Sequence, residues 1–158
     1  MSPELDNELC TKYPKLFKNR YQSCEKTAMC WGFECGDGWF VLIDTLCFTI
    51  TEHIKWRRAV RARDLWYNRK LKKAIEKNDF SILLNPNLSN NEFYVQECKN
   101  DFYANKFRKP AVKVEWVVVD QVKEKFNGLR FYYHGGDETV DGMVQLAEQL
   151  SYSISEHK

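Results

Sequence analysis

At 158 residues the chain is long enough to bury one core, and its 44% hydrophobic and 15% aromatic content excludes general disorder. Charge is nearly balanced, with 24 Lys and Arg against 22 Asp and Glu, which excludes an acidic DNA mimic and gives no general reason to expect DNA binding. No run reaches the roughly 18–20 apolar residues of a membrane span, and Met1-Ser2-Pro3-Glu4-Leu5-Asp6 lacks the basic start and apolar stretch of a signal peptide. The six cysteines (Cys10, Cys24, Cys30, Cys35, Cys47 and Cys98) are therefore expected to be reduced thiols in a cytosolic protein.

Residues 1–36 read as irregular, with a short helical turn at 13–17. Gly36-Asp37-Gly38 is a turn in which Asp37 is expected to cap the helix that follows. Trp39, Ile43, Leu46, Ile50 and Ile54 recur at helical spacing, and Leu42 and Cys47 widen the stripe. The helix either runs straight into the segment that follows or bends near Thr49-Ile50-Thr51, where β-branching lowers propensity, and a second helix is read over 56–77 with an apolar side of Val60, Leu65, Trp66, Leu71 and Ile75. The segment from Lys55 to Lys77 is strongly basic: Lys55, Arg57, Arg58, Arg61, Arg63, Arg69, Lys70, Lys72, Lys73 and Lys77 are opposed only by Asp64 and Glu76.

Asn85-Pro86-Asn87 signals a loop, and Ser89-x-x-Glu92 is a capping box for a helix to about Asn105 that buries Phe93, Val95, Cys98 and Phe102. Beyond Pro110 the alternation of Val112, Val114, Trp116 and Val118 predicts a strand. Asn127-Gly128 predicts a two-residue hairpin joining a strand that ends at Phe126 to one over 129–133, which sets Lys125 opposite Arg130. A helix over 119–126, stopped by Gly128, is the competing assignment. Val140, Met143, Val144, Ala147 and Leu150 form a last amphipathic helix after the turn at 134–137. The expected architecture is one α+β domain over 1–158, several helices packed on a small antiparallel sheet or hairpin.

Among the candidate sites, Cys30-x4-Cys35 has the wrong company for zinc, because no second close pair exists and His53, His134 and His157 lie far apart. Buried thiols account for these cysteines better, and neither a metal nor a cofactor is assigned. Asp137, Glu138 and Asp141 suit the first turn of a helix more than a cation. Neither Gly-x-Ser-x-Gly nor His-Glu-x-x-His nor a Cys/His/Asn pattern is present, so no catalytic residue is assigned. What stands out is cations beside flat rings. Trp31, Trp39, Lys123, Lys125, Arg130, Tyr132 and Tyr133 form the candidate ligand-binding set, since a nucleotide needs ammonium or guanidinium for its phosphate and a ring face for its base.

Two stretches are more specific than any fold argument: Cys30-Trp31-Gly32-Phe33-Glu34-Cys35-Gly36-Asp37-Gly38-Trp39-Phe40, and residues 121–133, Gln-Val-Lys-Glu-Lys-Phe-Asn-Gly-Leu-Arg-Phe-Tyr-Tyr. With Glu4-Leu5-Asp6-Asn7, Lys12-Tyr13-Pro14 and Ser151-Tyr152, they resemble a family of small uncharacterised bacteriophage accessory proteins. The resemblance implies an accessory protein acting in the host bacterial cytoplasm and carries no assigned chemistry; the absence of catalytic patterns favours a non-enzymatic role. Relatives commonly continue into Cys-x-x-Cys-Gly where this sequence has Ser155-Glu156-His157-Lys158, so a zinc role is not carried over. Combined with the ring-and-cation pattern, the expectation is sequestration of a small anionic ligand, such as a nucleotide-type host immune signal, in an anti-defence role. Homo-oligomerisation is expected to help enclose such a ligand. The alternatives are a nucleic-acid or host-protein binder acting through the basic helix 55–77, and a nucleotide-degrading enzyme.

Overall fold

The computed structural model describes residues 1–83, 92–104 and 106–157. The fold is α+β, four helices with a small three-stranded sheet. The chain divides into two compact units, one made of residues 1–56 and 114–158, the other of 57–113.

In the first unit the N-terminal segment is not irregular. Helix α1 spans Pro3–Lys12 and carries Pro at its start, Glu4 and Asp6 in its first turn and Lys12 in its last. Each placement is favourable: Pro lacks an N–H that would go unpaired there, and the charges oppose the helix dipole. Leu9 and Cys10 anchor it in the core.

One short strand and two long ones build the sheet in the order β1-β2-β3. Strand β1 (Phe33–Glu34) lies parallel to β2 (Glu115–Lys125), with Phe33 opposite Val122 and Glu34 opposite Lys123. Strand β2 turns back antiparallel into β3 (Gly128–Gly136). The expected hairpin is present, but β1 makes the sheet mixed. The strand expected from Val112 begins only at Glu115, and Val112 is exposed. Irregularities at 115–118 and 119–121 break the alternation, so Val117, Val118 and Val119 are buried in succession.

The turn is displaced by one residue from its expected place. Phe126 (φ 56°) and Asn127 (φ 59°) occupy the two left-handed positions, and Lys125 pairs with Gly128. Gly128 serves another purpose: a Cβ there would come within 2.6 Å of the Tyr152 ring. Crowding by Tyr152 therefore holds Gly128 in the strand and passes the turn to the exposed Phe126. Lys123, not Lys125, consequently faces Arg130.

Helix α2 (Phe40–Lys77) is continuous for 38 residues, so the chain runs on through Thr49-Ile50-Thr51 and the second helix read over 56–77 is part of the same element. Thr49 Oγ1 donates to the Thr45 carbonyl at 2.7 Å and Ile50 is fully buried. Burial of that side chain, roughly 1.5–3 kcal/mol, outweighs a propensity penalty of a few tenths. Residues 40–56 of α2 belong to the first unit, where Ile43, Leu46, Cys47, Ile50 and Ile54 line the core with Trp39. Helix α4 (Glu138–Ser151) adds Val140, Val144 and Ala147, and Asp137 caps it by accepting from Val140 N–H.

Asp37 is not the cap of α2. A single 3-10 turn (Asp37–Trp39) precedes the helix, and Asp37 Oδ1 instead accepts from Ser2 N–H at 2.6 Å. The flanking glycines admit the C-terminal segment. Gly38 N–H donates to the Glu156 carbonyl at 2.9 Å and Gly36 N–H to the Glu156 carboxylate at 3.0 Å. A Cβ on Gly36 would overlap the Glu156 carbonyl oxygen, and one on Gly38 the Ser155 carbonyl oxygen, both main-chain atoms. Gly38→Ala is therefore expected to displace residues 154–156 and lower the thermal midpoint by several degrees. Ala at the exposed Gly142, where nothing lies within 4 Å, is expected to leave it unchanged or raise it.

The second unit has a smaller core of Leu71, Ala74 and Leu83, with Tyr67 and Ile82 packed against it. Of the apolar side expected for 56–77, Trp66 (56% exposed) and Ile75 lie toward solvent. Asn78 (φ 49°) stops α2, with Asp79 N–H returning to the Ala74 carbonyl. Helix α3 runs Glu92–Tyr103; Phe93, expected inside, is 78% exposed. Ser89, and the side chains of Cys98 and Phe102, lie outside the described residues.

The cysteines depart from expectation at one place: Cys24 and Cys30 are disulfide-bonded. Their Cα atoms lie 5.2 Å apart, within bridging distance. Cys10, Cys35 and Cys47 are free and buried; burial raises Cys10, beside Asp6, and Cys35 each to about 12. These thiols are inert near neutral pH.

Candidate anion-binding site

The seven residues expected to form one site are divided between environments. Trp39 is 1% exposed, and its indole N–H donates to the Ile154 carbonyl at 2.7 Å. Tyr133 faces α4 and donates to Asp141 at 2.5 Å, while burial and that carboxylate raise its pKa. Trp31 is 70% exposed on a 3-10 turn (Ala28–Trp31). Lys125 ends β2 beside the Phe126 ring. Lys123, Arg130 and Tyr132 share one face of the sheet, and Lys125, two residues beyond Lys123, lies on the same face at the end of the hairpin.

There the opposed cations Lys123 and Arg130 each lean on a tyrosine. Lys123 Nζ stands 5.3 Å from the Tyr132 ring centroid. Arg130 donates to the Tyr152 hydroxyl at 2.8 Å and to its own neighbour's carbonyl, Leu129, at 2.7 Å. The Tyr152 hydrogen bond raises the Arg130 pKa. Two tyrosines thus ease the like-charge contact. The N–H groups of Gly36 and Gly38 are taken by Glu156 of the same chain.

A different hollow in the first unit unites cations with rings. It encloses about 200 Å³ and is lined by Lys12, Tyr13, Pro14, Lys15, Leu16, Thr51, Lys55 and Trp116. Three elements meet at it. Residues 12–16 leave the end of α1, Thr51 and Lys55 lie one turn apart on α2, and Trp116 comes from β2. Leu16 is tied to the sheet by the Val119 N–H, which donates to its carbonyl at 2.8 Å.

Each rim cation has a defined setting. Lys15 Nζ stands 4.2 Å from the Trp116 ring centroid, and among the described residues it has no carboxylate within ion-pair distance. Lys55 makes an exposed pair with Glu52 at 2.7 Å. Lys12 donates to both Asp44 oxygens at 2.7 Å, and the Tyr13 hydroxyl donates to Asp44 Oδ1 at 2.7 Å. Burial pushes the Asp44 carboxyl up, but hydrogen bonds from Lys12 and Tyr13, with the Lys12 charge, outweigh it and hold it below 3.8. Burial and the same carboxylate raise the Tyr13 pKa.

At the wall of this hollow Thr51 Oγ1 is buried and, among the described residues, without a hydrogen-bond partner. A buried hydroxyl left unpaired costs about 1–3 kcal/mol. Thr49, two residues earlier, meets the same need through its helical carbonyl.

Because the Asp44 pKa is lowered by folding, its stabilisation is complete above the ordinary carboxylate range and is lost as pH falls through the lowered value. Thermal unfolding followed from pH 6 to pH 2.5 is expected to show a larger loss below pH 3.8 in the native chain than in Asp44→Asn. The two curves should converge toward acid.

Sequence reasoning missed this site. Lys12-Tyr13-Pro14 was visible as a motif, but Lys15 was not singled out, and the distance of both from Thr51 and Trp116 in the chain hid the convergence. The available signal was Trp116 itself, a large ring among valines in a strand whose other face is buried.

Comparison with protein-family models, with curated proteins and with solved structures finds no match to the chain. Among the described residues no group of three or more His, Cys, Asp or Glu is placed to hold a metal ion, and no helix is long and apolar enough to cross a membrane.

Proposed function

We propose that the protein captures a small anionic ligand with a planar part, a mononucleotide or smaller, in the hollow between Lys15, Lys55, Thr51 and Trp116. The observation that carries this reading is a hollow rimmed by three lysines and an indole, with Lys15 Nζ 4.2 Å from the Trp116 ring centroid. Lysine ammonium groups suit phosphate, and the Trp116 indole, with Lys15 over its ring, gives the hollow an apolar wall beside its cations. A volume of about 200 Å³ is below the roughly 300–1,000 Å³ of enclosing pockets, so the ligand sits partly in solvent.

The resemblance to phage accessory proteins makes a nucleotide-type signal of host defence the first class to test, with sequestration in the host cytoplasm as the biological role. Ligand is expected to be recovered intact after the complex is denatured; recovery of a cleaved product would favour the nucleotide-degrading alternative.

Thr51→Val and Lys55→Ala separate the wall of the hollow from its rim. Replacing the unpaired hydroxyl with a methyl group keeps the shape and is expected to leave stability unchanged or raise it by up to about 1 kcal/mol. Binding of a mononucleotide, read by thermal shift, is expected to be unchanged in Thr51→Val and to weaken several-fold in Lys55→Ala. A destabilised Thr51→Val would show that the hydroxyl has a partner within the fold, and undiminished binding in Lys55→Ala would count against the hollow as the site.

A further inference from the structure

The second unit has a charge unlike that of the first. Residues 57–113 hold 14 Lys and Arg against 6 Asp and Glu, whereas the remainder holds 10 against 16. A nearly neutral chain is thus a +8 unit beside a −6 unit. A surplus of that size on 57 residues repels itself and needs a reason.

The surplus is organised along α2. Arg63, Trp66, Arg69, Lys70, Lys73 and Lys77 recur at three- and four-residue steps, which places them on one side of the helix. Trp66 is 56% exposed and Lys70 Nζ stands 3.8 Å from its ring centroid. From Arg63 to Lys77 this stripe extends about 21 Å at the helical rise.

A second row of cations is held against the helix. Asn68 donates to the Arg108 carbonyl at 2.7 Å and accepts from the Arg108 N–H at 2.8 Å, a reciprocal pair that fixes an otherwise irregular segment. That segment carries Lys106, Phe107, Arg108 and Lys109, and Phe107 is half exposed. Arg108 lies 3.9 Å over the Tyr67 ring and 3.7 Å from Asp64, which is also 3.8 Å from Arg63, and a hollow lined by Trp66, Lys70 and Arg108 is shared with Tyr94 and Glu97 of α3.

We infer that this unit is a binding surface for single-stranded nucleic acid, with phosphates on Arg63, Arg69, Lys73 and Lys109 and unstacked bases on Trp66 and Phe107. Charge alone would suit any polyanion. Exposed rings set among the cations are what distinguish a single strand, whose base faces are open, from a duplex or an acidic protein, whose rings or carboxylates make no use of them. The inference is independent of the ligand proposed for the first unit.

The test is fluorescence anisotropy of the full chain with a labelled 20-nucleotide oligothymidylate at 50–200 mM salt, beside a 20-base-pair duplex and polyglutamate. Saturable binding is expected, tightest for the single strand. With four phosphate contacts, the slope of log affinity against log salt should be about −3, becoming shallower by about 1.4 in Arg69→Gln/Lys73→Gln. Trp66→Ala, at an exposed position, should weaken binding roughly 5- to 150-fold, with Trp66→Phe recovering part of it. Lys15→Ala should change nothing. No binding at 50 mM salt, affinity for duplex or polyglutamate equal to that for the single strand, or indifference to Trp66→Ala would each overturn the inference.

Discussion

Trp39→Ala is expected to destabilise the protein by about 3–5 kcal/mol in urea unfolding, the range for removing a fully buried large ring. The indole sits among Ile43, Leu46 and the first-unit core, and it is the link between that core and the C-terminal segment through its hydrogen bond to the Ile154 carbonyl. Truncation opens a cavity and leaves that carbonyl without its donor. Trp39→Phe fills part of the space but restores no donor, so an intermediate loss of about 1–3 kcal/mol is expected. A Trp39→Ala chain within 1 kcal/mol of the native would contradict the placement of this ring.

Arg20→Ala is expected to cost about 2–4 kcal/mol. Asp6 is one of two buried polar or charged residues among those described, and Arg20 grips it through Nε at 3.0 and 3.1 Å and through Nη2 at 2.8 Å. The third nitrogen, Nη1, donates to the Cys30 carbonyl at 2.9 Å and ties the disulfide-bearing loop to α1. Hydrogen bonding to Asp6 raises the Arg20 pKa, so the guanidinium is charged throughout. Removing one member of a buried pair costs roughly 3–5 kcal/mol, and the estimate is reduced because Arg20 keeps 19% of its side-chain exposure. Arg20→Lys keeps the charge without the fork and should recover less than half. Equal stability of Arg20→Ala and the native chain in urea would show the pair to be incidental.

Elements whose signal is periodic burial were legible. Ile43, Leu46, Ile50 and Ile54 announced α2, Val140, Val144 and Ala147 announced α4, and both lie in the core. The hairpin was legible in kind and wrong in register, because Asn-Gly marks a turn only where Gly has nothing to do elsewhere, and Gly128 is held by Tyr152. Helix α1 was overlooked since only Leu9 and Cys10 pack deeply from it, too few for a period, although Ser2-Pro3 and its terminal charges were readable cues. The role of Gly36 and Gly38 is a long-range one, admitting residues 155–156 from the far end of the chain, and no local pattern reveals it.

For the candidate site, the residue types were legible and their placement was not. Strand alternation sends Tyr133 inward and Tyr132 outward, and a core indole such as Trp39 reads the same as an exposed one. Lys15 and Trp116 are 101 residues apart, and only the pairing of Leu16 with Val119 brings them together.

Isothermal titration of adenosine monophosphate into the native protein and into Lys15→Ala, at low salt and neutral pH, tests the anion hollow most directly. Saturable one-site binding to the native chain, weakened at least tenfold in Lys15→Ala while Lys123→Ala binds normally, is the expected result. Absence of binding to mononucleotides and inorganic phosphate alike, or a loss confined to Lys123→Ala, would contradict it.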